Sequence, residues 1–159
     1  MMKHTAQPVL DETDWKLIEA LQRDARQSYT ALGQQVGLSR PAVVERIRRL
    51  EDSGVITGYR AVIDPSKLGL DITAFVRIST QTVEESQELS RLIRESPEVQ
   101  ECYCGTGSDC FTMRVLVASL EQLDAFLERI RVYGNPISSV MLSSVVTQRD
   151  FRLSDMWHS

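Results

Sequence analysis

The chain has 159 residues, a formal net charge of -4 and an apolar content of 42 %, the profile of a soluble globular protein rather than of a disordered or membrane-spanning one. No stretch approaches the roughly 18 continuous apolar residues of a membrane span. The start, MMKHTAQPVL, lacks the apolar core and cleavage site of a secretory signal. Three cysteines are too few and odd in number for a disulfide framework, so a cytoplasmic setting is expected.

Leu10–Asp24 carries Leu10, Asp14, Leu17, Ile18 and Leu21 near helical spacing, with Asp11 or Thr13 able to cap its start. The early acids Asp11, Glu12 and Asp14 suit the positive end of a helix dipole. Ser28 opens a second helix, Tyr29–Val36, which Gly37 ends. Ser39 opens a third, running to about Asp52, with Val43, Ile47 and Leu50 as its buried stripe. Two short helices joined by a tight turn, the second rich in arginine, predict a helix-turn-helix with a basic recognition helix. Val55–Ile63 is rich in β-branched residues and reads as a short extended segment or small hairpin. Asp64–Leu70, punctuated by Pro65 and Gly69, is the expected boundary. It divides a DNA-binding domain over 1–63 from a second domain over 64–159.

The second half predicts a strand at Ile72–Thr80, a helix at Val83–Glu95 and strands at Val99–Gly105 and Phe111–Ala118. A helix at Leu120–Tyr133 and a last strand at Ile137–Thr147 complete it. This β-α-β-β-α-β order is the split βαβ, or ferredoxin-like, pattern. The expected fold is therefore α+β: an N-terminal, plain or winged, helix-turn-helix followed by a ferredoxin-like domain. Both helices on one side of such a sheet leave the other side bare. Thr73, Phe75, Arg77 and Ser79 alternate with Ile72, Ala74, Val76 and Ile78, so that side is half apolar, and dimerisation through it is expected. The tail RDFRLSDMWHS is expected to pack on the dimer or to fray.

The acidity is not uniform. Residues 1–60 hold 9 Lys+Arg against 8 Asp+Glu, and residues 61–159 hold 9 against 14. Within residues 38–50, four arginines face the single Glu45. Screening limits a charge's reach to about 8–10 Å at physiological salt, so the local excess governs phosphate contact. On a helical wheel, Pro41, Glu45, Arg48 and Arg49 lie opposite the buried stripe, Arg40 leads the helix and Arg46 flanks the stripe. Arginine can pair with guanine in a major groove, and Glu45 can accept from a cytosine amino group or orient a neighbouring arginine. Ser28, Tyr29 and Ser39 suit phosphate contacts, and capping roles for the two serines are compatible with that.

Gly105, Thr106, Gly107, Ser108 and Asp109 form a turn with two readings. Its backbone N–H groups and carboxylate can hold the two ends of a free amino acid. It is also good chemistry for a plain hairpin turn. Ser138 and Ser139, near the start of the last strand, are candidate second-side contacts at a subunit interface. Cys102 and Cys104 share one face of their strand and read as small buried apolar residues, with Tyr103 on the opposite face. No metal-ligand spacing, phosphate loop or nucleophile–base arrangement occurs, and the histidines, His4 and His158, lie near the ends. No enzyme activity, metal or cofactor is expected.

With these elements laid out, the chain resembles the Lrp/AsnC, or feast/famine, regulators. LDETDWKLIEALQRDAR resembles the family's opening helix. GLSRPAVVERIRRLEDSGVITGYRAVIDPSKLG resembles its recognition helix, turn and hinge. VQECYCGTGSDCFTMRVLV resembles its central hairpin, and YGNPISSVMLSSVV its final strand. The resemblance implies binding to double-stranded DNA, a homodimer assembling to an octamer, and an amino-acid effector held at an interface between C-terminal domains. It also favours the effector reading of residues 105–109. The family's hairpin turn commonly reads Gly-x-x-Asp. Here Gly107-Ser108-Asp109 is one residue shorter, or the turn counted from Gly105 one longer. Sirohaem decarboxylases share this architecture but use histidines in the C-terminal domain, where this chain has only His158.

Overall fold

The computed structural model describes residues 8–106 and 110–155. The chain divides into two compact units. One comprises the residues up to Ala61 together with those from Val146 onward, and the other is Val62–Val145.

The first unit holds three helices, α1 (Glu12–Arg23), α2 (Tyr29–Val36) and α3 (Arg40–Asp52). Asp11 and Asp14 form a reciprocal capping box at the start of α1, each side chain accepting the other's backbone N–H. Leu17, Ala20, Leu21, Leu32, Val43 and Ile47 make one apolar cluster. Full burial of each leucine, valine or isoleucine contributes about 1.5–3 kcal/mol.

A second cluster joins Trp15, Ile18 and Leu50 to Leu10, Val55 and Ile56. Of the two readings of Val55–Ile63, the hairpin is not formed, and the segment pairs with no strand. Gly54 turns in the left-handed region (φ 73°), and the Ile56 N–H donates to the Leu50 carbonyl at 3.0 Å. That closure sends Val55 and Ile56 inward as an apolar plug for α1 and α3. Residues 57–64 then run exposed. Among the described residues no strand pair forms a wing beside α3, the arrangement of a plain helix-turn-helix.

The described part of the tail packs rather than frays. The Gln22 side chain accepts the Phe151 N–H at 2.9 Å and donates to the Phe151 carbonyl at 2.8 Å. The Leu153 N–H donates to Glu19 at 3.2 Å. Residues 151–153 are thus bound along α1 through their backbone, and a short 3₁₀ turn follows at Leu153–Asp155.

The second unit is a four-stranded antiparallel sheet in the order β2-β3-β1-β4, from β1 (Ile72–Ile78), β2 (Val99–Cys104), β3 (Phe111–Val117) and β4 (Ile137–Val140). The helices α4 (Val83–Glu95) and α5 (Leu120–Arg131) cover one face. Ala74, Val76 and Ile78 from β1, and Phe111, Met113, Val115 and Val117 from β3, meet Leu89, Ile93, Leu123, Phe126 and Ile130 there. This is the ferredoxin-like arrangement expected from the alternation. Thr82 and Ser119 cap the two helices, which is why both begin where the sequence places them.

The last strand is shorter than the expected Ile137–Thr147. Its partner β1 begins at Ile72, and the Met141 N–H makes its bond to the Thr73 carbonyl at 2.9 Å. Beyond that point the edge offers nothing to pair with. Leu142 onward leaves the sheet.

Candidate functional site

The turn between α2 and α3 is fixed by close backbone packing. Gly37 takes the left-handed conformation (φ 72°), and the Leu38 N–H reaches back to the Gly33 carbonyl at 2.9 Å. Gly33 is buried, and a Cβ built on it would lie 2.5 Å from the Leu38 carbonyl oxygen. Only glycine lets α2 approach the turn this closely. Gly37 is recognisable from the sequence as a helix end, whereas the role of Gly33 follows only from the approach of the two backbones.

This geometry aims α3 outward. Val43, Ile47 and Leu50 are buried, and Arg40, Pro41, Val44, Glu45 and Arg48 are exposed. Ser39 opens the helix without a side-chain capping bond, so its hydroxyl remains available to a ligand. The Ser28 hydroxyl is used, accepting the Ala31 N–H at 3.1 Å. Tyr29, at the first turn of α2, is partly exposed. Val44 was not among the expected contact residues. It sits between Arg40 and Arg48 on the wheel, and an exposed β-branched side chain on an otherwise polar face was the signal for it.

The four arginines of this segment fall into distinct environments. Arg40 has no ionic partner among the described residues. Arg48 faces Asp52 one turn on at 3.5 Å, with both side chains well exposed, a pairing worth about 1 kcal/mol or less. Arg46 is inward and bridges Asp11 and Asp14, each at 2.7 Å. Arg49 reaches the same Asp14 at 3.3 Å, although most of its side chain stays exposed. Asp14 itself is buried to 3 % side-chain exposure and accepts from Arg46, from Arg49 and from the Asp11 N–H. The backbone N–H of Asp14 and then the Arg46 guanidinium hold the Asp11 carboxyl below its ordinary range, and the two carboxylates raise Arg46. The wheel put Arg48 and Arg49 on one footing; the structure separates them.

Tyr59 closes this side of the unit. Its hydroxyl donates to Glu51 on α3 at 2.9 Å. Burial and then the Glu51 carboxylate push its pKa up to about 12.

In the sheet unit, the expected effector residues are spread over the end of the sheet. Gly105 and Thr106 are exposed at the β2–β3 turn, where the Gly105 N–H donates to the Cys110 carbonyl at 3.1 Å. Gly107, Ser108 and Asp109 lie outside the described residues. On β4, Ser138 pairs with Val76 and Ser139 with Phe75. Residues directly opposite in a sheet share a face, so the two serines project to opposite sides and do not line one surface. Cys102 is half-buried, and burial raises its thiol pKa. Cys104 is exposed, which corrects its reading as a buried apolar residue; it sits at the strand's end, past the cover of the helices. No cluster of metal-ligating side chains occurs among the described residues.

The face of the sheet away from α4 and α5 carries Phe75, Tyr103 and Ile137, all substantially exposed. Glu101 and Arg114 pair across β2 and β3 on the same face at 2.6 Å. No helix among the described residues is long and apolar enough to cross a membrane.

Comparison with known proteins places both units. Residues 10–51 match the AsnC-type helix-turn-helix domain, and residues 73–150 match the Lrp/AsnC ligand binding domain. The HTH-type transcriptional regulator LrpC of Bacillus subtilis is 31 % identical over 139 residues, 87 % of this chain and 96 % of the relative. Its solved structure superposes with a TM-score of 0.83, covering 89 % of this chain and all of that one. The DNA-binding transcriptional activator DecR of Escherichia coli is 38 % identical over 148 residues, 92 % of this chain and 97 % of the relative. The transcriptional regulator NMB0573 of Neisseria meningitidis, solved as an L-Met complex, superposes with a TM-score of 0.84 at 25 % identity, covering 92 % of this chain and 98 % of that one. The exposed basic helix, the four-stranded sheet and these matches agree: the chain belongs to the Lrp/AsnC family of transcriptional regulators.

Proposed function

We propose that this chain is a sequence-specific DNA-binding regulator, not an enzyme, which acts in the cytoplasm as a dimer or octamer and is tuned by a small amino acid. The observation that carries the reading is the solvent face of α3. Arg40, Pro41, Val44, Glu45 and Arg48 stand together on one rigid helix aimed outward by the Gly33–Leu38 turn. A major groove admits such a helix. Arg40 and Arg48 suit guanine or phosphate, Val44 suits a thymine methyl, and Glu45 suits a cytosine amino group. Ser39, Ser28 and Tyr29 flank this face as phosphate contacts, and Arg49 stands at its edge. Two-fold symmetry then sets half-sites about one helical turn apart, or a multiple of it.

The half-apolar open face of the sheet, with Phe75, Tyr103 and Ile137 exposed, supports dimerisation through it. The L-Met complex of NMB0573 supports an amino acid as the ligand class. In our reading the hairpin turn of residues 105–109, with Ser138 or Ser139 from another subunit, receives the effector. Coupling of this kind is typically about 1–3 kcal/mol.

Fluorescence anisotropy on the protein's own upstream DNA tests this, with and without each amino acid and at two salt concentrations. Salt-sensitive binding that survives competitor DNA and shifts with one amino acid is the expected result. Absence of binding at low salt would sink the regulator reading. Asp109→Ala is expected to abolish the effector shift while DNA binding persists; an unchanged shift removes the hairpin from the ligand site.

A further inference from the structure

Two neighbouring arginines on α3 differ in what holds them. Arg48 has only an exposed partner on its own helix, whereas Arg49 is tied to a buried carboxylate on a different helix. Asp14 takes one edge of Arg49, with Nη2 at 3.3 and 3.4 Å from its two oxygens, and leaves 62 % of that side chain exposed. Asp14 cannot itself drift. It is buried, it sits in the capping box of α1, and Arg46 anchors it at 2.7 Å from the other side. The charge there is balanced: Asp11 and Asp14 face Arg46 and Arg49.

We propose that Asp14 is a positioning residue for DNA recognition, holding the Arg49 guanidinium at the edge of the recognition face so that it docks in one orientation. This rests on the DNA-binding reading above. A free arginine loses rotamer freedom on docking, and a planar guanidinium already held along one edge loses less. The gain falls on the specific complex, where geometry matters. Loose electrostatic attachment to any DNA needs only the charge. Asp14 therefore acts in opposite directions on the two modes of binding. It favours the specific one through Arg49 and disfavours the non-specific one by cancelling positive charge beside the helix.

The test is the ratio of specific to non-specific affinity, measured by anisotropy on operator and on unrelated duplex at matched salt. Asp14→Asn is expected to lower that ratio about tenfold, with non-specific binding rising slightly. In an Arg49→Gln background the same substitution is expected to keep only the slight rise in non-specific binding, so the ratio falls far less than tenfold. Failure of the wild type to prefer its operator at all refutes the DNA reading instead, so the two failures are distinguishable. A ratio unaffected by Asp14→Asn, or lowered equally with and without Arg49, overturns the proposal. A merely structural Asp14 would shift the melting temperature and leave the ratio alone. A tightening of both modes would mean that Asp14 sequesters Arg49. Should Asp14→Asn not fold, ¹⁵N relaxation of arginine side chains in the free wild type decides: Arg49 is expected to be about as ordered as Arg46, and an Arg49 as mobile as Arg40 overturns the proposal.

Discussion

On α3 the candidate contact residues occupy one side of one helix, whereas at the hairpin end of the sheet they are spread over a turn and an edge strand. A helix advances about 100° per residue, so five positions between 40 and 48 become a surface without help from the rest of the chain. A strand alternates, so adjacent residues such as Ser138 and Ser139 part company. The candidate DNA-contact residues share one exposed face of a single helix. The candidate effector residues that are described are not gathered into one pocket.

The comparison breaks most visibly at the turn that aims the helix. Gly33→Ala forces a Cβ against the Leu38 carbonyl, and the expected loss is about 3 kcal/mol, at the upper end of overpacking penalties. Differential scanning calorimetry should show the helical unit melting earlier while the sheet unit keeps its transition. A single unshifted profile would mean that the turn is not rigid.

The next largest effect lies on the face itself. Arg48→Ala should weaken operator binding by about 1–3 kcal/mol, lower the salt slope if its contact is a phosphate, and leave thermal stability within about 0.5 kcal/mol. Arg49→Ala should weaken binding and also lower stability, because Asp14 loses a partner. The double substitution should leave the oligomeric state intact by light scattering. Equal stability for the two single variants would erase the distinction between the neighbouring arginines.

Smaller again is the tail. Gln22→Ala removes a reciprocal pair of hydrogen bonds to Phe151 and should cost about 1 kcal/mol in the helical unit. Hydrogen exchange at the Phe151 amide should accelerate, and no change there would mean the tail is not held by α1.

Smallest is the titration of Tyr59. Its pKa is raised in the folded state, so its contribution to stability is complete below pH 10 and lost as pH rises through about 12. Ultraviolet titration should show a late phenolate that is absent in Tyr59→Phe. For Asp11 the sign is reversed. Its lowered pKa stabilises the fold above the ordinary carboxylate range, and that part is lost as pH falls below about 4.

Much of this was legible from local chemistry. Ser28 announces its helix, and the alternation from Ile72 to Ile78 announces its buried side. What stayed hidden depended on partners distant in sequence. The β-branched run at Val55–Ile63 lacks a strand to pair with, and Gly54 turns its start into a plug. β4 stops because β1 does. Arg49 reads as an equal of Arg48 until Asp14, 35 residues away, is brought beside it. At the candidate effector site the sequence supplied residue types, and the register of β4 supplied the facing that types cannot show.

The binding of Phe151 by Gln22 joins residues 129 positions apart within the helical unit. A helix made before the sheet is therefore joined by a segment made after it. At about 5–20 residues per second, α1 waits roughly 6–26 s on the ribosome for the segment that lies against it, while the whole sheet is made in between. A change in residues 151–153 therefore acts on the helix-turn-helix unit rather than on the sheet unit that precedes the segment in the chain.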